Sequence, residues 1–306
     1  MDREIRLQST LASSCRRNIV EILDAAVLYV CFDRDGRIRQ VSDRERKGWR
    51  VFQFIMMEKL QPVFEKDRGG ARLTVDALRY YDEESFLKFA LDVGNAVETA
   101  HSHVELSSRE GQPVLHRDIK LENVFYSEGY DFYKLGDFGL ARVLEGGCAS
   151  SNVGTDGYRA PEVDSNREYD QRADIYSFGI LLYLLLNDLK FPGSESYRPR
   201  FGVQYQPGHP LPAPAHGSAR LQRIGCKACS FEEEERYATI GEMLEELRRA
   251  GKKEKTTRKR VETEREQEAE NALDAGAPEL RMPMRLRASD GVRSSEEGTG
   301  GQQYAQ

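Results

Sequence analysis

The chain has 306 residues, of which 39% are hydrophobic and 31% charged, with a formal net charge of −6. This length suffices for one large domain or two small ones, and the negative charge argues against a dedicated nucleic-acid binder, whose surface would be basic. Five scattered cysteines and no apolar signal segment or membrane-length apolar run predict a soluble intracellular protein, cytoplasmic or nuclear.

The first sixty residues combine one helical pattern with strand patterns. Residues 2–14 are polar with Ile5, Leu7 and Leu11 interspersed, and read as a short amphipathic helix. Strands are predicted at Ile19–Leu23, Val27–Phe32 and Val51–Met57, with a charged excursion at 33–50 between the last two.

Longer helices are predicted in the second part of the chain. Ser85–His103 has helical spacing with one buried face, and Asp174–Leu189 is apolar nearly all round, which predicts a central core helix. Prolines cluster between Pro192 and Pro214 in an irregular segment, and Leu221–Leu247 is helical again. In this last segment Cys226 and Cys229 form a lone CxxC, for which core thiols are favoured over a zinc or redox site.

The composition changes after Gly251. Lys252–Arg260 is basic, the following residues are acidic, and Gly, Ser and Gln dominate towards the end. We expect 251–306 to be a disordered or solvated tail. The basic run has two interpretations, a nuclear localisation signal or a solvated charge run, and the second is favoured.

Two motifs carry the chemistry. Residues 114–124 read VLHRDIKLENV, and residues 135–139 read LGDFG. Asp118 is followed five positions later by Asn123 and then by Asp137, which together supply a proton acceptor and two oxygen ligands for Mg²⁺ around a transferring phosphoryl group. Either motif alone is a weak signal, whereas both in this order are a strong one.

These motifs resemble those of the eukaryotic protein kinases of the serine/threonine type. The resemblance implies an α+β, protein kinase-like fold that uses ATP and Mg²⁺ to phosphorylate protein substrates. It also implies a partial small lobe at 1–60, reduced to a regulatory helix and about two strands, and a complete, mostly helical large lobe at 61–250.

The resemblance assigns catalytic roles. Asp118 would orient the substrate hydroxyl and take its proton, and Lys120 would neutralise charge on the γ-phosphoryl oxygens. Thr155 would hydrogen-bond both of these residues, while Asn123 and Asp137 would bind Mg²⁺. Lys120 and the pair Gly154-Thr155 resemble serine/threonine rather than tyrosine kinases.

Further residues would support this site. By resemblance, Asp174 anchors the catalytic loop, and Glu162, which ends Ala-Pro-Glu, forms a buried ion pair with Arg236. His116 and Phe138 would belong to a hydrophobic spine between the lobes, and Gly139 completes the Asp-Phe-Gly motif.

Regulation and nucleotide binding are also implied. Ser151 stands where many relatives carry an activating phosphate, which an upstream kinase would add and Arg117 would pair with; the alternative is an ordinary loop serine. Met57 would be the gatekeeper of a hinge in which the backbone of Glu58 and Leu60 binds adenine, with Phe125 beneath the ring. Ordinary strand-end packing is the alternative for these hinge residues.

The start of the chain departs from the family pattern. Glu4 is the counterpart of the regulatory-helix Glu, yet the first Gly is Gly36 and the first Lys is Lys47, both after it. A Gly-rich loop and an ATP-binding Lys normally precede that Glu. Three interpretations stay open: an active kinase from an N-terminally truncated gene model, a pseudokinase or scaffold that binds partners through the large lobe, and a non-functional fragment. The co-occurrence of the catalytic residues favours the first.

Overall fold

The computed structural model describes most of the chain before residue 253. The described residues are 2–32, 38–40, 50–67, 70–79, 82–102, 113–143, 149, 153–197 and 211–252. They belong to one compact unit, Met1–Thr256, whereas a second unit, Thr257–Gln306, lies outside the described residues. Residues 251 and 252 are helical, which corrects the start of the predicted disordered tail, and the tail stays a prediction for 253–306.

The N-terminal part contains a helix and an antiparallel sheet. Helix α1 spans Asp2–Ser14 and buries Leu11 completely, which confirms the predicted amphipathic helix. The sheet has the order β2-β1-β3, with strands Ile22–Phe32 (β1), Ile38–Gln40 (β2) and Arg50–Met57 (β3). The prediction of about two strands here misses the short β2, and Ile19 forms only an isolated bridge with Leu135.

A hairpin that the sequence analysis did not predict follows this sheet. Strands β5 (Phe64–Asp67) and β6 (Gly70–Leu73) pair in antiparallel fashion, and an ion pair of 2.5 Å joins the Arg72 guanidinium to Glu65. Just before the hairpin, the short β4 (Gln61–Pro62) pairs with a later strand, β8 (Val124–Ser127), which in turn pairs with β9 (Phe132–Leu135).

Helices form most of the remaining core. They are α2 (Asp76–Arg79), α3 (Glu83–His101), α4 (Pro161–Asp164), α5 (Arg172–Leu186), α6 (Ala219–Ala228) and a last helix, α7, over residues 240–252. Asp82 caps α3, since its carboxylate accepts a hydrogen bond from the Ser85 amide. The predicted helices at 85–103 and 174–189 are confirmed as α3 and α5. The helical pattern predicted over 221–247 is interrupted at 229–239.

The core centres on α5, which is buried along nearly its whole length. Close contact with α6 requires a glycine, because a Cβ on Gly179 would lie 2.6 Å from the Cys229 sulfur. Burial raises the pKa of both the Cys226 and the Cys229 thiol, as expected for core thiols rather than reactive ones. Among the described helices, none combines the length and apolarity needed to cross a membrane.

Short strands and 3-10 turns frame the motif residues. Strand β7 (Val114–Leu115) pairs with β10 (Arg142–Val143), and 3-10 turns occupy Leu121–Asn123 and Phe138–Leu140. The segment from His116 to Asn123 therefore leaves β7 and ends where β8 begins, while Asp137 lies between β9 and β10. This arrangement brings the two sequence motifs onto neighbouring loops.

Candidate active site

The loop that carries Asp118 is anchored by Asp174. This carboxylate, near the start of α5, accepts hydrogen bonds from the backbone amides of His116 and Arg117, both at 2.8 Å, and contacts His101 Nε2 at 2.9 Å. Burial alone would raise the pKa of Asp174, but the contact with His101 and the hydrogen bonds from the backbone amides outweigh burial and lower this pKa. The anchor holds Arg117 in a left-handed conformation, with φ of 66°.

Three predicted site residues, Thr155, Lys120 and Asn123, meet at Asp118. The Thr155 hydroxyl donates a hydrogen bond of 2.6 Å to Asp118 Oδ1, and Lys120 Nζ lies 2.7 Å from Asp118 Oδ2. Lys120 also lies 2.8 Å from the Thr155 hydroxyl, and Asn123 donates to the Asp118 backbone carbonyl at 2.8 Å. Burial opposes ionisation, yet the hydrogen bonds from Lys120 and Thr155 lower the pKa of Asp118 below its ordinary value.

Asn123 and Asp137 present oxygen atoms that suit Mg²⁺. Because the Asn123 amide nitrogen donates to Asp118, its oxygen is the atom left for a metal. Asp137 is exposed and accepts one hydrogen bond, from the Gly139 amide at 3.3 Å. A bond of 2.9 Å from the Gly136 amide to the Asn123 carbonyl joins the two loops. No described group of three or more His, Cys, Asp or Glu forms a metal site. Two protein oxygens would leave the other octahedral positions around a Mg²⁺ ion to phosphate oxygens and water.

The predicted spine residues are in contact. The His116 and Phe138 rings lie 4.5 Å apart between centroids, and His116 Nε2 lies 3.0 Å from the Gly136 carbonyl. Burial lowers the pKa of His116, which favours a neutral imidazole. From α1, the buried Gln8 donates to the Val20 carbonyl at 2.9 Å and accepts from the Phe138 amide at 3.5 Å.

The predicted hinge follows β3. Met57 is 46% exposed at the end of that strand, and the residues 58–60 connect it to β4. The Glu58 carboxylate lies 2.5 Å from Lys134 Nζ and accepts a bond of 2.8 Å from the Glu21 amide. Phe125, half-buried on β8, lies against Gly136, where an added Cβ would come within 3.0 Å of its ring.

The predicted pair of Glu162 and Arg236 is present and completely buried. The guanidinium binds both carboxylate oxygens, at 2.7 and 2.8 Å. Its remaining N–H groups donate to the carbonyls of Ser230, Phe231 and Arg172. All five donors of the guanidinium therefore have an acceptor.

Two predicted residues have side chains outside the part of the chain that the structure describes. Glu4 is in the first turn of α1, but its side chain is outside the described residues, as is all of Ser151. Sequence reasoning missed His101, Gln8 and Lys134, whose partners come from distant segments. Gln8 alone carried a local signal, because it lies four residues after Glu4 and so shares its helix face.

The comparisons with known proteins agree with this geometry. The family model described as protein kinase domain matches residues 37–247. The chain belongs to the protein kinase family. Its fold is accordingly the mixed α and β fold of protein kinases, as the motifs predicted.

Named relatives of this kinase-family chain are serine/threonine kinases. A probable serine/threonine-protein kinase nek2 of Dictyostelium discoideum is 34% identical over 146 residues, which cover 47% of this chain and 33% of the relative. A putative serine/threonine-protein kinase A of Trypanosoma brucei brucei is 34% identical over 191 residues, covering 61% and 41%. Human serine/threonine-protein kinase Nek2 is 41% identical over 109 residues, covering 35% and 23%. The chain thus spans less than half the length of each of these three relatives.

Proposed function

We propose that the chain is a serine/threonine protein kinase, which transfers the γ-phosphoryl group of ATP to hydroxyl groups of protein substrates. The observation that carries the proposal is the closed set of contacts among Asp118, Lys120 and Thr155. Phosphoryl transfer depends mainly on positioning and charge stabilisation, and these contacts fix a carboxylate and an ammonium group side by side.

Asp118 is suited to accept the substrate proton. Its lowered pKa keeps it ionised near neutral pH. Oδ2 accepts hydrogen bonds from both Lys120 and Asn123, whereas Oδ1, which accepts from Thr155, has a second lone pair for a substrate hydroxyl. Two of the three N–H groups of Lys120 are directed at Asp118 and Thr155, and the third can face a phosphoryl oxygen, which suits Lys120 to stabilise developing negative charge.

Asn123 and Asp137 would hold Mg²⁺ through one amide oxygen and one carboxylate. Bound Mg²⁺ would neutralise charge on the β- and γ-phosphate oxygens. Around it, Asp137 would be oriented by the Gly139 amide, and the hinge backbone at Glu58 and Leu60 would bind adenine above Phe125. Activation by a kinase that phosphorylates Ser151 stays a prediction.

The test is transfer of labelled γ-phosphate from ATP to dephosphorylated casein, with analysis of the phosphorylated residues. We expect phosphoserine and phosphothreonine, and loss of transfer in Asp118→Asn and Asp137→Ala with unchanged thermal unfolding. Asp188→Asn is the matched control, because this exposed carboxylate pairs with His216 on the surface. Full activity in Asp118→Asn, or no Mg·ATP binding by the unmodified chain, would overturn the proposal.

A further inference from the structure

Glu58 joins three separate segments of the chain. Its carboxylate lies 2.5 Å from Lys134 Nζ and accepts a hydrogen bond of 2.8 Å from the Glu21 amide. Its own amide donates to the Glu21 carbonyl at 3.2 Å. We call the ion pair between Glu58 and Lys134 the hinge clasp.

The hinge clasp is largely removed from water. The Lys134 side chain is only 5% exposed and that of Glu58 is 24% exposed. The ammonium also lies 5.6 Å from the centre of the Phe132 ring. Removal of either partner would leave a largely buried charge without its counter-charge, so we expect loss of this pair to perturb the structure more than loss of an exposed ion pair.

The segments that the clasp joins both belong to the proposed ATP site. Glu58 begins the hinge at 58–60, and Lys134 lies on β9 three residues before Asp137. Strand β9 is fixed on both edges: it pairs with β8 on one side, and on the other Leu135 exchanges backbone bonds with Asn18 and Val20. Lys134 therefore reaches the hinge from a strand that is itself immobilised.

We propose that the hinge clasp sets the position of the hinge relative to Asp137, so that Glu58 and Lys134 act as positioning residues for nucleotide binding. The inference rests on the proposed function, since it concerns the same site. Its physical basis is that the clasp is a direct side-chain link between the base-binding segment and the strand leading to the metal ligand.

Hydrogen–deuterium exchange of the full chain tests the link without nucleotide. We expect Glu58→Gln to increase exchange at residues 135–140, and Lys134→Met to increase it at 58–60, while α5 stays protected. The conservative Lys134→Arg should restore protection, and Glu245→Gln, which breaks an exposed pair with Arg249, should change neither segment. Changes confined to the substituted segment, or an equal increase throughout the chain, would overturn the proposal.

Kinetics test the consequence for ATP. We expect Lys134→Met to raise KM for ATP about tenfold while changing kcat less than about threefold, with recovery in Lys134→Arg. An equal loss of kcat in Lys134→Met and Lys134→Arg would contradict a positioning role. If the unmodified chain binds no Mg·ATP, the proposed function fails, whereas the exchange result still decides whether the clasp links the two segments.

Discussion

The buried pair of Glu162 and Arg236 offers the sharpest test of how this fold is held together. Arg236→Met leaves a carboxylate without its partner at a site where both side chains are 0% exposed. Loss of one partner of a buried pair costs about 3–5 kcal/mol. Arg236→Met also orphans the carbonyls of Ser230, Phe231 and Arg172. Since each orphaned acceptor adds roughly 1 kcal/mol, we expect a loss of about 5 kcal/mol or more.

Glu162→Gln should cost less, about 3 kcal/mol, because the amide oxygen still accepts one guanidinium bond. The double variant should lose at least about 2 kcal/mol less than the sum of the two single losses, since it leaves no stranded charge. Urea unfolding followed by circular dichroism measures all three variants. Should Arg236→Met fail to fold, Arg236→Lys provides a milder change that keeps the charge but not the bidentate geometry.

The control for this experiment is Arg249→Met. Arg249 pairs with Glu245 at 2.8 Å, but these side chains are 68% and 63% exposed, so the loss should be below about 1 kcal/mol. If Arg236→Met costs no more than this control, the argument from burial and complete hydrogen bonding is wrong.

Three further outcomes are expected. Thr155→Val removes the hydroxyl that donates a hydrogen bond to Asp118, so it should lower kcat for phosphate transfer about tenfold or more, while Thr155→Ser retains activity. Equal kcat values for Thr155→Val and the unmodified chain would exclude a role for the hydroxyl. Gly179→Ala should destabilise the fold by about 1–3 kcal/mol in urea unfolding, because its Cβ would meet Cys229 at 2.6 Å, whereas Gly225→Ala, with no atom within 4 Å of its added Cβ, should not. Burial lowers the pKa of His116 from 6.5, so the unfolded state binds a proton at this imidazole more readily than the folded state does. The free energy of unfolding should therefore fall as the pH drops below about 6.5, and His116 contributes a slope of at most about 1.4 kcal/mol per pH unit. His116→Gln should reduce that slope in urea titrations at several pH values, and an unchanged slope would refute the assignment.

Much of the candidate site was predictable because its residues lie in short motifs. Asp118 and Asn123 are five positions apart on one loop, and a 3-10 turn at Leu121–Asn123 returns the amide to the Asp118 backbone. The pairing of Glu162 with Arg236 across 74 positions was also anticipated, but only through the family resemblance. No local pattern links these two residues.

Other features depend on tertiary contacts that the sequence does not encode locally. The hairpin of β5 and β6 was missed because its strands are short and carry charges such as Glu65 and Arg72, which hide the alternation expected of a strand. Lys134 drew no prediction, because no local pattern indicates that the fold buries it against Glu58. Polar residues that become buried in this way are recognisable only once their partner is placed beside them.

The double-sided pairing of β9 also determines where the loop that carries Asp137 can bend. Leu135 is held by backbone bonds to Asn18 and Val20, and the strand pairs with β8 on its other edge. Rotation of the backbone within β9 would break several of these hydrogen bonds at once. Asp137, by contrast, has a φ of 59° and already occupies a sparsely populated backbone region. A reorientation of Phe138 would therefore pivot about the Asp137 backbone and leave the preceding strand, with its lysine, in place.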